Sequence, residues 1–261
     1  MNRNIFIIIF IIIVIVVIYK NDNNYQKEED YSYRNDHIRF MTKEEVCNFF
    51  RNDPDNYFKR FNKLNLNAYG YDNINDYIED SCHSASDFTN REKRYIIKEC
   101  KRVDDFLNKF NKIDHFPSKK VAGIKWILAK TNDKIYEKGY PHTRTGIIFL
   151  PNDMLSDKNL AQVLVHEKTH VFSRLFPEDM SLWNENNGYI LYRKLKDYSM
   201  ARNNPDVDGF VYLDKNNKET LAQYTTVNPK TIEEAVYPYY NDYKSEHPNE
   251  VLAYKVDSYL S

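Results

Sequence analysis

One apolar stretch carries three chemically reactive side chains, and it constrains the fold more than any other feature of this sequence. In 162-QVLVHEKTHVFSRLFP-177, His166, Glu167 and His170 interrupt a run of valine, leucine and phenylalanine with helical spacing. Two imidazoles and a carboxylate therefore enter an otherwise apolar environment. Buried polar groups need partners, and a metal ion can supply them. The fold must bring such partners to this helix.

The spacing of these side chains predicts a zinc site. His166 and His170 lie four positions apart, so on a helix they share one face and can hold one ion. Zinc at a catalytic site takes three protein ligands and a water whose pKa falls to about 7. Glu167 lies about 100° round the helix axis from His166, where a carboxylate can take a proton from that water. We therefore predict Zn²⁺, with both histidines as ligands and Glu167 as general base and acid.

A purely structural interpretation of the same stretch is the alternative. In it, the histidines bond to backbone groups, and Glu167 pairs with Lys168 or Arg174. Lys168 also departs from many H-E-x-x-H peptidases, which avoid a charge at this position. Helix geometry predicts that the Lys168 side chain points away from the face that carries the histidines.

A third ligand must come from elsewhere in the chain. Positions 173 and 176 hold Ser173 and Phe176, which excludes the arrangement with a third histidine six residues after His170. The remaining candidates are side chains in the second half of the chain: Glu185, Glu233, Glu234, His247 and Glu250.

The segment 245-SEHPNEVLAYKVDSYL-260 resembles the second zinc helix of the gluzincins, whose third ligand is a glutamate in an N-E-x-x-A or N-E-x-x-S context. The resemblance implies a zincin-like domain with Glu250 as the third Zn²⁺ ligand, 80 positions after His170 (250 − 170). Ala253 is then the small residue that lets the two helices approach. Asp257 is either a hydrogen-bond acceptor for one histidine or a solvated helix residue.

Several stretches are also similar to uncharacterised zinc-peptidase-like proteins of giant nucleo-cytoplasmic large DNA viruses. These stretches are 139-GYPHTRTGIIFLP-151, VHEKTH, 202-RNNPDVDGFVY-212 and EHPNEVLAY. The resemblance covers about residues 42 to 261. It implies a viral metallopeptidase in a host membrane or a virion.

The N-terminus predicts a membrane anchor within residues 1–20. Residues 5-IFIIIFIIIVIVVIY-19 are unbroken in their apolar character, and Lys20 follows them. The run is slightly shorter than the ~20 residues of a typical spanning helix, but Tyr19 and Lys20 can reach the interface. A cleaved signal peptide is the alternative, although no small-residue cleavage site follows the run. We expect a single-pass membrane protein.

The rest of the chain predicts an α+β fold. Residues 21–41 are polar and predict a linker, whereas residues 42–117 show helical spacing and predict an all-α unit. Within residues 118–261, the β-branched segments 121–130 and 146–151 predict strands ahead of the histidine helix. We expect a zincin-like metallopeptidase domain in this last part. Predicted helix starts are Thr42, Asp53, about Asn90, and Ser156 or Asp157.

The remaining polar residues give further predictions. The segment Thr145–Leu150 is the expected edge strand for an extended peptide. Oxyanion donors could be His142, Tyr212 or His247, each with a structural role as the alternative. The segment 204-NPDVDG-209 has spaced oxygen atoms but lacks the full calcium-loop pattern, and it predicts a turn.

Charge and cysteine content limit the partners. With 37 Lys+Arg against 38 Asp+Glu, nothing calls for a nucleic-acid partner. Cys47, Cys82 and Cys100 are odd in number and form no C-x-x-C, so we expect buried free thiols. The expected partners are a peptide or protein substrate and a membrane. The alternatives are a non-proteolytic zincin-fold structural or interaction protein of a virion or membrane, and a zinc hydrolase of a non-peptide amide.

Overall fold

The computed structural model describes residues 37–132, 134–240 and 243–260. The expected anchor at 1–20 and most of the expected linker at 21–41 lie outside these residues. Within the described ranges, no helix has both the length and the apolar character needed to cross a membrane. Contacts divide the chain between Arg39 and Phe40, and all the candidate site residues follow this boundary.

Helices and short strands are interspersed along the chain, so the fold is α+β. The α-helices are α1 (Lys43–Asn52), α2 (Lys63–Tyr69), α3 (Ile74–Ser84), α4 (Asn90–Lys109), α5 (Ser118–Ala122), α6 (Leu160–Leu175), α7 (Pro177–Asn186) and α8 (Pro248–Asp257). The strands are β1 (Ile38–Phe40), β2 (Ala85–Ser86), β3 (Trp126–Thr131), β4 (His142–Arg144), β5 (Ile147–Pro151), β6 (Ile190–Lys194), β7 (Phe210–Leu213), β8 (Glu219–Thr220), β9 (Gln223–Tyr224) and β10 (Ala235–Val236).

The sheet beside the histidine helix is built around β5. Strand β3 runs parallel to β5, with Leu128 opposite Ile148, and β4 pairs antiparallel with the other side of β5. Among the described strands, β4 is therefore at the edge and β5 is internal. The prediction of an edge strand at Thr145–Leu150 was wrong. Thr145 has a φ of 55° and forms the turn between β4 and β5, a chain reversal that the apolar pattern does not reveal.

Helix α6, which carries both histidines, lies in the interior. Helices α4, α5 and α8 pack against it, as do β4 and β5. Its residues Leu164, Val165 and Phe172 are fully buried. A helix surrounded in this way buries most of its circumference, which explains why its sequence is apolar on several sides.

The helices of residues 42–117 and the later strands share one core. Phe50 of α1 stacks on Phe149 of β5 at 5.6 Å between ring centroids, and Tyr136 lies 4.3 Å from Phe50. Tyr57 and Tyr77 belong to the same buried cluster. The all-α segment therefore packs directly on the sheet. The domain boundary between residues 117 and 118 stays a prediction.

Local sequence signals located some element boundaries and missed others. The capping box at Thr42 is confirmed, since the Thr42 hydroxyl accepts from Glu45 N and the Glu45 carboxylate accepts from Thr42 N. The helix start at Asp53 was wrong, because Asp53 ends α1 in a left-handed conformation. The strand expected over 121–130 begins only at Trp126, after the short helix α5.

The cysteine prediction was wrong for two of the three residues. Cys47 on α1 and Cys82 on α3 form a disulfide with their Cα atoms 4.5 Å apart, within the usual range. Their separation of 35 positions gave no sign that α1 and α3 lie side by side. Cys100 is a buried free thiol, as expected.

Candidate metal centre

Two helices supply the predicted ligands. Helix α6 carries His166 and His170, and α8 carries Glu250 in its first turn. Pro248 starts α8, where its fixed φ suits a helix and its missing N–H is not needed. The α8 N-terminus is capped by His247, whose side chain accepts a hydrogen bond from Asn249 N. Packing of α8 on α6 then brings the glutamate opposite the histidines.

The three side chains converge at one point and are called here the ligand cluster. The Nε2 atoms of His166 and His170 lie 3.1 Å apart. The Oε2 atom of Glu250 is 3.5 Å from the first Nε2 and 3.7 Å from the second. The His170 side chain is fully buried, and the other two side chains are mostly buried. The structure therefore brings together the three residues that the sequence selects.

The ligand cluster fits a zinc ion in both spacing and chemistry. Ligand atoms about 2.0–2.1 Å from a tetrahedral ion lie about 3.3–3.4 Å from each other, close to the three separations observed. Two imidazole nitrogens and a carboxylate oxygen are the donor set of many catalytic zinc sites. A cluster with three protein ligands also leaves a fourth position for a reacting molecule.

Asp257 orients one of the histidines. Its Oδ2 lies 2.8 Å from Nδ1 of His166, and its Oδ1 accepts from Gln162 at 3.4 Å. A proton on Nδ1 leaves the Nε2 lone pair directed into the ligand cluster, as is usual for histidines that bind metals. Of the two roles considered for Asp257, the hydrogen-bond acceptor is the one that the geometry supports.

The electrostatic environment of the ligand cluster favours positive charge. Burial opposes protonation of His166, but its hydrogen bond to Asp257 and its contact with Glu250 raise its pKa well above the usual value. Burial also disfavours an ionised Glu250, but the charge of His170 and hydrogen bonds from both histidines lower its pKa well below the usual range. The field that favours a proton here also favours a metal cation.

Glu167 lies beside the ligand cluster and outside it. Its side chain is 3% exposed, and its Oε2 accepts a hydrogen bond of 3.0 Å from the hydroxyl of Thr143 on β4. Burial raises the pKa of Glu167 well above its usual range, and the nearby charge of Asp206 adds to this. A cation in the ligand cluster would act in the opposite direction. This carboxylate is therefore placed to accept and release a proton next to a metal-held reactant.

A cavity of about 760 Å³ opens onto the candidate centre. Its wall includes His166, Glu167 and Glu250, and it is large enough for several residues of a peptide. The wall also contains residues that the sequence did not select as site residues, among them Arg202, Asp206, Glu246 and Tyr254. Glu246 and Tyr254 lie within the second motif, four positions on either side of Glu250, whereas Arg202 and Asp206 lie outside both motifs.

The three residues predicted as oxyanion donors lie outside the cavity wall and contact other groups. His142 is buried, stacks on Phe149 and has its pKa lowered to about 3 by burial. Tyr212 donates to Asp208 at 2.6 Å, and His247 caps α8. In the part of the chain that the structure describes, none of the three lies in the cavity wall. Their expected catalytic role therefore has no support in this geometry.

The rival third ligands also lie apart from the ligand cluster. His247 serves as a helix cap, and Glu233 lies in the cavity wall with its carboxylate 3.4 Å from the hydroxyl of Tyr140. Glu234 accepts from Lys230 N, and Glu185 is exposed near the end of α7. Among the described residues, only the group with Glu250 brings His, Cys, Asp or Glu ligand atoms close enough together to hold a metal.

Lys168 points away from the ligand cluster, as predicted, but into the protein rather than into solvent. Its ammonium is 2.5 Å from Oδ1 of Asp104 and 3.1 Å from the carbonyl oxygen of Ala122. It also lies 4.0 Å from the ring centroid of Trp126, whose indole N–H donates to the other oxygen of Asp104. This buried network ties α6 to α4 and β3.

Comparison with known proteins identified no relative. No protein-family model, no curated protein and no solved structure matches the chain. The resemblances to the gluzincins and to the viral proteins stay predictions from the sequence.

Proposed function

We propose that this chain is a zinc metallopeptidase with a zincin-like catalytic domain. The observation that carries the proposal is the convergence of His166, His170 and Glu250 beside the buried carboxylate of Glu167. Burial of four such groups together gains nothing unless they share a ligand or a reaction. The cavity in front of them has the size needed for a peptide segment.

The protein groups divide the chemistry between them. A zinc ion held by the ligand cluster would act as a Lewis acid toward a scissile carbonyl and would make a water acidic near neutral pH. Glu167 takes the proton of the attacking water and delivers it to the leaving amine. Asp257 keeps the His166 ring oriented, and Thr143 holds the Glu167 carboxylate.

The N-terminal run adds a location to this function. We propose that residues 5–19 anchor the enzyme in a membrane as a single-pass protein, so that substrates are met near that surface. A host membrane or a virion membrane is the setting that the resemblance to viral proteins suggests. The chemistry proposed for the centre does not depend on the anchor or on the type of membrane.

Glu167→Gln tests the proposed chemistry. The amide keeps the size of the side chain but cannot take a proton, so cleavage of a quenched fluorescent peptide pool should fall about 10²- to 10⁴-fold. Zinc content per chain should not change, because Glu167 is not in the ligand cluster. Glu178→Gln, an exposed change on the next helix, is the matched control. Zinc binding without cleavage of any peptide by the wild-type chain would instead favour a non-proteolytic structural protein.

A further inference from the structure

The loop of residues 204–208 (Asn-Pro-Asp-Val-Asp), which the sequence predicts only as a turn, contacts three parts of the candidate centre. We infer that it is a positioning element that holds the general base and the third ligand through separate side chains. The inference rests on the proposed function for the role of the base. Its contacts to the ligand cluster are independent of catalysis.

The first contact reaches the general base through β4. Oδ1 of Asp206 accepts a hydrogen bond of 2.7 Å from the backbone N–H of Thr143. The Thr143 hydroxyl then lies 3.0 Å from Oε2 of Glu167 and 3.2 Å from the Glu167 carbonyl oxygen. Asp206 thereby fixes the position of β4 relative to α6, and the Thr143 hydroxyl limits the rotation of the Glu167 carboxylate. Removing the hydroxyl should let Glu167 adopt other rotamers.

The second contact reaches the third ligand. The side-chain amide of Asn204 donates to Oε1 of Glu250 at 3.4 Å, while Oε2 faces the two histidines. This division assigns one carboxylate oxygen to the ligand cluster and the other to the loop. Loss of a side chain that hydrogen-bonds a metal ligand commonly lowers metal affinity by about 10- to 100-fold.

The third contact supports the start of the helix that carries the third ligand. Oδ1 of Asp208 lies 3.1 Å from Nε2 of His247, and Oδ2 accepts from the hydroxyl of Tyr212. His247 is therefore held with Nδ1 free to accept from Asn249 N at the start of α8. Asn204, Asp206 and Asp208, at every second position of the loop, therefore each contact a different part of the candidate centre.

The loop is itself held firmly enough to position other groups. Asp206 N donates to the side-chain oxygen of Asn204, which closes a compact turn. The guanidinium of Arg174 on α6 donates to the Pro205 carbonyl oxygen and, at 3.4 Å, to that of Val207. These bonds tie the loop to the same helix that bears the histidines. Preorganisation of this kind is what a catalytic constellation needs from its surroundings.

Thr143→Val tests the contact to the base in the full-length chain. It keeps the branched shape and removes the hydroxyl, so kcat on a peptide that the wild type cleaves should fall about 10- to 100-fold while KM changes little. Thr143→Ser keeps the hydroxyl and removes the methyl group, so it should retain most of the wild-type kcat. A merely structural role of the methyl group would instead lower kcat in the serine variant. Thr131→Val, a buried threonine in β3, is the matched control and should keep wild-type kcat. If valine disrupts the strand, Thr143→Ala provides the same comparison.

Asn204→Ala tests the contact to the ligand, with zinc chloride and a competing chelator as the probe. The zinc dissociation constant should rise about 10-fold, whereas that of Thr143→Val should stay near wild type. Asn216→Ala, in the β7–β8 turn, is the control. Unchanged kcat in Thr143→Val, no recovery in Thr143→Ser, or wild-type zinc affinity in Asn204→Ala would overturn the inference. A chain without any peptidase activity would refute the proposed function but would leave this zinc test of the loop intact.

Discussion

At the scale of single residues, the charge that does not fit the sequence motif is neutralised inside the protein. Lys168 pairs with Asp104, which lies 64 positions earlier in the chain. Helix geometry predicts correctly that the side chain leaves the histidine face. It cannot predict the partner, because the rotation of α4 against α6 depends on packing along both helices. For the same reason, local sequence motifs do not predict the contact of Asp206 with Thr143 or that of Thr143 with Glu167.

Lys168→Met should destabilise the protein although Met has a similar size and is apolar. The change leaves the carboxylate of Asp104 buried without its cation, and breaking such a pair costs about 3–5 kcal/mol. The double variant Lys168→Met with Asp104→Asn should recover most of the loss, because Asn still accepts from Trp126. Urea unfolding of the three proteins measures this. Equal stability of the wild type and the single variant would contradict the account of the network.

At the scale of elements, capping and periodicity predict single helices better than their arrangement. Thr42 and Asn90 mark helix starts because the signals are local, within one turn of the chain. The edge of the sheet and the neighbours of α1 depend on long-range pairing that no local pattern contains. The disulfide between Cys47 and Cys82 illustrates this, since it links two helices that residue spacing alone does not bring together.

Reduction of this disulfide should lower the stability of the helical segment. Closing a loop of 35 positions removes unfolded-state entropy worth about 3–4 kcal/mol. Thermal unfolding with and without a reductant measures the loss. The double variant Cys47→Ala with Cys82→Ala should unfold at the lower temperature under both conditions. If the reductant lowered the unfolding temperature of this variant as much as that of the wild type, the loss would not come from the disulfide.

At the scale of the whole molecule, the sequence predicts the α+β class and the four principal residues of the centre. The histidine pair follows from a helical spacing of four, and Glu250 follows from its resemblance to a second zinc helix. The turn at residues 204–208 could be predicted, but its contacts with the centre and the cavity could not, since both depend on segments that meet only after folding. Folding therefore supplies the environment of the centre, whereas the motifs supply its reactive groups.

In the proposed centre, His166, His170 and Glu250 together bind one zinc ion. Metal analysis of the full-length chain, together with zinc titration against a competing chelator, measures this binding. We expect one zinc per chain in the wild type and a loss of affinity of at least about 100-fold in Glu250→Ala, because one of three ligands is removed. Glu234→Ala, an exposed glutamate outside the ligand cluster, should bind as the wild type does. A wild-type chain without stoichiometric zinc, or a Glu250→Ala variant that retains full affinity, would contradict this proposal.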